Sequence, residues 1–352
     1  MEDSKALPLV TVVIPMFNAF PFIVEMLECM EKQTYNNWEL IIVDDGSTDE
    51  SVSTVNGFVE KDPRIKLIKR PENRKKGGNT CRNIGLENAR GEYIIWFDAD
   101  DLIAPYCLEQ RVEFMERNLA IDFAVSRLLG FNNVPYDNMT RAYGFSFNGN
   151  IVNRFIGNNP FFVIVTNIYR RSALNVHNIR WDEDLKSHQD VDMNLECFCK
   201  KLKFKLISDN RPTYFWRLSG NPKSVSKNIY SESHLKTNLY YFEKQVNRFT
   251  EKKYSSGIYN LTNYIFKILV FQPDINYVRK FLSLNYFKNH TWLKVRLQFL
   301  NYIQHKLNLK SHIPLNVLTF MLMPLFEIRY RRNLYNWNRD QIICIKQMGL
   351  SK

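Results

Sequence analysis

Apolar runs of strand length alternate with helical patterns along the first two thirds of the chain. The first run, 9–14, is rich in β-branched residues and ends at Pro15, which is typical of a buried strand. Segments whose apolar residues recur at helical spacing follow such runs. The pattern predicts strands at 9–14, 38–43, 65–68, 91–97, 162–169, 204–208 and 213–217, and helices at 21–32, 77–89 and 189–200. Repeated β-α units predict an α/β fold with a mostly parallel central sheet.

Aspartate clusters follow two of the predicted strands. Asp44 and Asp45 come directly after the second strand, and Asp98, Asp100 and Asp101 come after the fourth. Because parallel strands present their carboxyl ends at one edge of the sheet, both clusters are placed to share a ligand. Neighbouring carboxylates repel one another unless a cation or solvent relieves the repulsion, and oxygen ligands suit Mg2+ or Mn2+. The alternative is that Asp101 caps a helix beginning near residue 105 while the others are solvated.

Several motifs in this region occur in a definite order. They are VVIPMFN at 12–18, QTY at 33–35, IVDDGSTD at 42–49, RNIG at 82–85, ARGEYI at 89–94 and DADD at 98–101. Together they resemble the signature of family 2 glycosyltransferases with the GT-A fold, whose nucleotide-binding domain is Rossmann-like. The resemblance covers roughly residues 8–228 and implies a catalytic domain at 1–230. The family usually has a Glu-Asp pair opening a later helix, where this chain has Gln189 and Asp190.

The resemblance places a nucleotide-sugar donor at the ends of the first two strands. Pro15 and Phe17 would wall the nucleobase, with Asn18 beside them, and Asp45 would accept the N3–H of uracil. A carboxylate accepts hydrogen bonds and cannot donate them, which favours a UDP donor. Asp45 could instead form the turn at this strand end. Arg82, at a helix start suited to anions, would reach the base or the diphosphate, or lie at the surface.

The same resemblance makes Asp98 and Asp100 the DxD motif that holds the metal ion and the nucleotide sugar. Asp100 is predicted to be the direct ligand of Mn2+ or Mg2+, and Asp98 to contact ribose or a metal-bound water. Asp101 is the next candidate ligand. The ion would neutralise charge that develops on UDP as it leaves.

Asp190, in the first turn of a predicted helix, matches the catalytic base of the family. In inverting transfer, a carboxylate removes the proton of the acceptor hydroxyl as that oxygen attacks the anomeric carbon. A helix N-terminus lowers a carboxylate's pKa, so enclosure against apolar groups must preserve the basicity. Asp190 could instead be an ordinary helix-start residue, and Asp192 is the weaker candidate base. His188 would contact acceptor or phosphate, or be solvated.

The segment 220–226 resembles the loop that closes over the donor in this family. Closure would exclude water, which otherwise competes with the acceptor. Arg217 and Lys223 are suited to a diphosphate, and a purely structural role for either is the alternative.

All of the excess positive charge lies in the last third of the chain. Residues 1–230 hold 29 Lys and Arg against 30 Asp and Glu, whereas residues 231–352 hold 19 against 6. This basic, aromatic region is predicted to be helical, and it carries no nucleic-acid-binding motif. Its apolar run at 313–326 is shorter than the about 20 residues that span a bilayer, and Arg329, Arg331 and Arg332 follow it. We expect contact with an anionic membrane surface, with packing onto the catalytic domain as the alternative.

The start of the chain is charged, and its six cysteines are scattered without a metal-binding or disulfide pattern. These features favour a reducing cytoplasm, at the inner face of the membrane. The expected function is transfer from a UDP-sugar to a glycan or lipid-linked glycan in bacterial surface-polysaccharide synthesis. A GDP- or dTDP-sugar donor is the alternative within the same class. A non-catalytic nucleotide-sugar-binding protein is the alternative outside it.

Overall fold

The computed structural model describes residues 6–138, 141–144, 149–219, 231–270, 276–291, 293–295, 297–298 and 301. The predicted closing loop at 220–226, with Lys223, and the apolar run at 313–326 with its three arginines lie outside the described residues. Those predictions therefore stay predictions.

Within the described ranges the strands form two sheets. The larger sheet has the order β10-β6-β9-β4-β1-β2-β3, and the smaller has the order β5-β11-β7-β8. The strands are β1 (Val10–Met16), β2 (Trp38–Asp44), β3 (Ile65–Lys69), β4 (Tyr93–Trp96), β5 (Leu102–Ile103), β6 (Phe123–Val125), β7 (Leu128–Phe131), β8 (Ala142–Tyr143), β9 (Asn167–Arg170), β10 (Phe204–Leu206) and β11 (Tyr214–Arg217).

The α-helices of the same ranges alternate with these strands and then continue alone after β11. They are α1 (Phe22–Glu31), α2 (Ser51–Val59), α3 (Gly78–Glu87), α4 (Cys107–Glu116), α5 (Ile151–Ile156), α6 (Arg171–Val176), α7 (Gln189–Cys199), α8 (Glu232–Arg248), α9 (Ser255–Val270) and α10 (Asn276–Leu282).

The parallel part of the large sheet brings the motif-bearing loops together. β1 pairs in parallel with both β2 and β4, and β2 pairs in parallel with β3. In this register Met16 lies opposite Asp44, and Val13 lies opposite Trp96. The loops after β1, β2, β3 and β4 therefore meet at one edge. The predicted α/β class with a mostly parallel sheet is confirmed.

The alternating residues of β2 explain how helices cover this sheet. Leu40 and Ile42 belong to the main hydrophobic core, whereas Ile41 and Val43 pack with residues of α3 on the other side. Gly85 permits the close approach of that helix, because a Cβ there would lie 2.2 Å from Val13. This contact holds α3 close to the sheet, with the start of the helix at the edge where Asp44, Asp45 and Asp98 lie.

The predicted strand at 162–169 is wrong in its first half. A 3-10 turn occupies Ile164–Thr166, and β9 begins only at Asn167. The backbone N–H and the hydroxyl of Thr166 both donate to the carbonyl of Val163, at 3.0 and 2.6 Å. Local hydrogen bonds of this kind compete with a strand ladder.

The described part of the C-terminal region is helical, as predicted, and it packs on the part of the chain that forms the sheets. Leu235, Phe242, Leu261 and Phe281 from α8, α9 and α10 lie in the same main core as the strands. Across the described ranges no helix is both long and apolar enough to cross a bilayer.

Candidate active site

The ends of β1 and β2 place an exposed aromatic ring beside a tightly held loop. Phe17 is 47% exposed, and the Lys76 ammonium lies 4.1 Å from the centre of its ring. Asn18 adopts a left-handed backbone, with φ 47°, and its side-chain oxygen accepts from the backbone N–H of Thr48 at 2.8 Å. Pro15 is half-buried at the end of β1. In this arrangement Phe17 offers a ring face at the surface, and Asn18 positions the loop.

The two aspartates after β2 have different roles. Asp44 accepts hydrogen bonds from the backbone of Gly46 and Ser47, each at 3.1 Å, and so forms the turn. Asp45 is 6% exposed, and its carboxylate accepts from Nε of Arg70 at 2.5 Å. Turn formation therefore falls to Asp44, and the alternative interpretation of Asp45 as the turn residue is wrong.

Arg70 contacts the candidate site residue Asp45, but it belongs to none of the sequence motifs. The parallel register places Asp44 opposite Lys69, so the residue that follows each strand lies beside the other. The predicted pairing of adjacent parallel strands could have indicated Arg70, because it brings the first residues after β2 and β3 together.

Asp98, Asp100 and Asp101 follow β4, but they do not face the same way. The side chain of Asp98 is 39% exposed, and Asp100 is half-buried. Asp101 is 2% exposed and accepts from the Tyr214 hydroxyl at 2.6 Å and the Arg217 backbone N–H at 2.7 Å. Burial, with the neighbouring carboxylates adding to it, raises the pKa of Asp101 well above its ordinary value.

These contacts rule out the predicted helix cap at Asp101. The next helix, α4, begins at Cys107, and Asp101 instead holds β11 against the acidic loop. Its two carboxylate oxygens are already occupied by hydrogen bonds, which makes it the poorest of the three as a metal ligand.

Arg217 has a structural role in this conformation. Its side chain is 7% exposed and donates to the carbonyl of Asp100 at 2.7 Å and to Glu25 at 2.9 Å. The guanidinium also lies 4.9 Å from the ring centre of Phe22 and 4.7 Å from that of Phe131. Of the two predicted alternatives, the structure supports the structural one.

Arg82 connects the acidic loop after β4 to the start of α7. Its side chain is 8% exposed, so the predicted surface role is wrong. It donates to Asp98 at 2.8 Å and to the side-chain oxygen of Gln189 at 3.2 Å. Its guanidinium lies 4.6 Å from the ring centre of Trp181. Gln189, which stands where the family usually has Glu, thus keeps an acceptor for this arginine without a second negative charge.

Asp190 lies in the first turn of α7, next to this pair. Burial raises the pKa of Asp190 to about 6, against the opposing charge of Arg82 and with the carboxylate of Asp98 adding to the rise. The predicted enclosure that keeps this carboxylate basic is therefore present. At neutral pH Asp190 is ionised but retains affinity for a proton, which suits a general base.

His188 and Asp192 contact side chains of α8 and not the acidic loop after β4. The ring nitrogens of His188 lie 3.1 Å from the side-chain oxygen of Asn158 and 2.6 Å from that of Asn238, and burial lowers its pKa to about 4. These contacts contradict the solvated alternative for His188, and its contact with acceptor or phosphate stays a prediction. Asp192 is 4% exposed and pairs with Lys244 at 2.8 Å, so it serves as a structural ion-pair partner.

The carboxylate oxygens at the acidic loop after β4 are ligands of the type that a hard divalent cation prefers. Asp98 and Asp100 supply carboxylate oxygens at the partly exposed edge of the sheet, and such ions usually complete their coordination with water and substrate phosphates. No group of three or more Asp, Glu, His or Cys side chains in the described part of the chain is arranged to hold a metal by itself. A metal here would thus depend on a bound phosphate.

Proteins of similar sequence identify the family of this chain. The family model described as "Glycosyl transferase family 2" matches residues 11–177. The chain is 32% identical over 242 residues to an uncharacterised glycosyltransferase of Haemophilus influenzae, covering 67% of this chain and 88% of that protein. The chain belongs to glycosyltransferase family 2. It is also 31% identical to Bacillus subtilis TuaG, named for teichuronic acid biosynthesis, over 63% of this chain and 88% of TuaG.

A solved structure shares the fold of this family 2 enzyme. It is residues 1–349 of S. aureus TarS in complex with UDP-GlcNAc, with a TM-score of 0.60 and 20% sequence identity. The match covers 78% of this chain and 80% of that one. The enzyme is thus a glycosyltransferase with a GT-A catalytic fold.

Proposed function

We propose that this glycosyltransferase moves a sugar from a UDP-sugar to a hydroxyl of a glycan or lipid-linked glycan, with inversion at the anomeric carbon. The observation that carries the proposal is Asp190, a partly buried carboxylate with a pKa of about 6 that lies beside the Arg82–Asp98 pair. A carboxylate of this basicity next to the acidic loop after β4, where the donor would bind, supports the proposal.

The donor would bind across the loops after β1 and β2. The exposed ring of Phe17, next to Pro15, offers a face for a planar base, and Asp45 offers a carboxylate that accepts the uracil N3–H. Asn18 would support this pocket by holding the neighbouring loop. The complex of the TarS fragment with UDP-GlcNAc supports a UDP donor.

A divalent ion, Mn2+ or Mg2+, would be held by Asp100, with Asp98 contacting the ribose or a metal-bound water. Such an ion supplies charge neutralisation for the departing diphosphate. Arg82, already paired with Asp98, adds a fixed positive charge on the same side.

Asp190 would act on the other side of the sugar. Its carboxylate takes the proton of the acceptor hydroxyl while that oxygen forms a bond to the anomeric carbon. The bond from the anomeric carbon to the diphosphate breaks on the opposite face, and its electron pair leaves with UDP. Attack opposite the leaving group inverts the configuration.

The wider setting is proposed from the likeness to TuaG and from the charge distribution. We place the enzyme in bacterial surface-polysaccharide synthesis, at the cytoplasmic face of the membrane, with 1–230 as the catalytic domain and 231–352 as a basic helical region.

A UDP-release assay with a panel of UDP-sugars and Mn2+ tests the function. Asp190→Asn keeps the shape of the side chain but cannot accept the proton, so turnover should fall about 100- to 10,000-fold while UDP still stabilises the protein against heat. A variant with undiminished turnover would remove Asp190 from the role of base. Binding without release by the wild type, for every donor, would favour a non-catalytic nucleotide-sugar-binding protein.

A further inference from the structure

The helix that carries the proposed base has two faces with different partners. Residues two apart on a helix point about 200° apart, so Asp190 and Asp192 project in nearly opposite directions. Asn194, one turn after Asp190, bonds to Asn167 of β9 at 3.0 Å. Asp192 and Glu196, one turn apart, instead face α8.

The face opposite the base is fixed to α8 by a cluster of charged groups. Asp192 accepts from Lys244 at 2.8 Å, from Gln245 at 2.9 Å and from Arg248 at 3.3 Å. Arg248 also pairs with Glu196 at 2.8 Å. Buried ion pairs contribute little net stability compared with apolar packing, but they define one geometry, since a displaced partner leaves a charge unpaired.

The residue two positions before the base is held by the same helix. His188 has a left-handed backbone, with φ 59°, and its ring stacks on Tyr241 with centroids 4.4 Å apart. Its Nε2 lies 2.6 Å from the side-chain oxygen of Asn238. Helix α8 therefore fixes the backbone on both sides of Asp190.

Lys244 links this cluster, through Asp182, to helix α3. Its ammonium contacts Asp182 as well as Asp192. The carbonyl of Asp182 accepts from the side-chain amide of Asn79 at 2.6 Å, and Asn79 lies in α3, which also carries Arg82.

We infer that Lys244 and Arg248 of α8 are positioning residues for sugar transfer, because they hold the start of α7 in register with the donor edge of the sheet. This inference rests on the proposed role of Asp190. Helix α8 is then a working part of the catalytic unit, although it lies beyond the residues 11–177 matched by the family model.

The test substitutes Lys244→Met, with Lys236→Met as the matched control. Lys236 lies on the same helix and forms an exposed i,i+4 pair with Glu232, both side chains being at least 65% exposed. Both variants lose one positive charge from α8, but Lys244→Met loses two ion pairs, with Asp182 and Asp192, whereas Lys236→Met loses the one with Glu232. The donor that supports the fastest UDP release by the wild-type protein serves as substrate for all variants.

Lys244→Met should lower kcat about 10- to 100-fold, with the donor KM changed by less, because a small displacement of a catalytic group has effects of this size. Lys244→Arg should restore most of kcat, and Lys236→Met should match the wild type. The acidic limb of the kcat–pH profile should also move to lower pH, because a displaced Asp190 is more hydrated. The charged and titratable groups that face Asp190 are Arg82 of α3, Asp98 after β4, Tyr143 of β8 and Tyr169 of β9, and the substitution changes none of them.

Hydrogen exchange gives a readout that does not depend on activity. The amide of Asp192, which donates to the carbonyl of His188 at 2.9 Å, and the amides of the next turn of α7 should lose protection in Lys244→Met and keep it in Lys236→Met. If Lys244→Met does not fold, Arg248→Met should show a smaller change in the same direction. A folded variant with unchanged kcat, pH profile and exchange would overturn the positioning role, whereas an active Asp190→Asn enzyme would overturn the base itself.

Discussion

At the scale of single residues, the pKa of Asp190 has a direct kinetic consequence. A helix N-terminus lowers the pKa of a carboxylate, yet burial raises that of Asp190 to about 6. The group is protonated below that pH and cannot act as a base. We therefore expect kcat/KM to fall about tenfold per pH unit below pH 6 and to level off above it, because kcat/KM reports the pKa of the free enzyme. The measurement is UDP release at donor concentrations well below KM, and a kcat/KM that stays constant down to pH 5 would show that another group accepts the proton.

Asp45 makes a second prediction, about the choice of nucleotide. UDP should stabilise the protein against heat more than CDP, because cytosine lacks the N–H that the carboxylate accepts. A hydrogen bond to a charged group contributes about 1.5–3 kcal/mol, which is about 10- to 100-fold in affinity. Asp45→Asn should narrow the difference, since an amide can also donate to cytosine. Equal thermal shifts for UDP and CDP with the wild type would exclude this role.

A third prediction separates the acidic residues of the DxD loop. Asp100→Ala should abolish the Mn2+-dependent part of UDP binding and leave the melting temperature of the unliganded protein nearly unchanged. Asp101→Asn should lower the melting temperature and leave the Mn2+-dependent part of UDP binding in place. The reason is that the buried carboxyl group of Asp101 accepts hydrogen bonds from both Tyr214 and Arg217. Calorimetric titration with UDP, with and without Mn2+, provides the measurement. Retained metal dependence in Asp100→Ala would assign the ion to another ligand.

The sequence indicated where the candidate residues lie better than it indicated their partners. Asp45 and Asp98 stand in ordered motifs and Asp190 opens a predicted helix, and the sheet topology explains why the two motif aspartates lie near one edge. The partners come from distant parts of the chain: Tyr214 bonds to a residue 113 positions away. Single-chain patterns carry no register between such segments, so the inward orientation of Asp101 could not be predicted.

At the scale of elements, long periodic segments were predicted well and short ones poorly. α7 was predicted at 189–200 and runs from Gln189 to Cys199, because its apolar positions repeat over several turns. The apolar run before β9 has no such repeat, and the hydroxyl of Thr166 decides its conformation locally. The contacts of His188 with α8 have no sequence signal, since they depend on how two helices pack.

The buried His188 leads to a prediction about how the free energy of unfolding depends on pH. Burial lowers its pKa to about 4 from an ordinary 6.5, so the unfolded chain binds a proton more readily than the folded one. Its contribution to stability is complete above pH 6.5 and is lost as the pH falls towards 4, by at most about 3 kcal/mol. His188→Asn, which tolerates the left-handed backbone, should flatten this dependence. Urea unfolding of both proteins across this pH range measures the difference, and parallel curves would contradict the assignment.

At the scale of the whole molecule, part of the charge asymmetry is balanced inside the fold. The region after residue 230 carries about 13 more basic than acidic residues, whereas the region before it is nearly neutral. Lys244 and Arg248 of α8 pair with carboxylates of the catalytic region. Packing onto the catalytic domain, the alternative to membrane contact, thus describes α8. The Lys and Arg residues after Lys294 lie outside the described residues, and contact with an anionic membrane stays a prediction for them.

The last prediction is that the end of the chain brings the enzyme to an anionic membrane that carries its acceptor. Arg329, Arg331 and Arg332 follow an apolar run at 313–326, and each basic residue near an anionic surface contributes about 1 kcal/mol. Vesicle sedimentation should show binding to anionic but not to neutral lipid, weakened by salt. Reversing the three arginine charges to Glu should abolish the binding. The same reversal at three exposed residues of the catalytic region should reduce it much less; these are Lys32, Arg117 and Arg211. Equal losses for the two triple variants would indicate a general charge effect, and no binding to anionic vesicles at low salt would refute membrane contact.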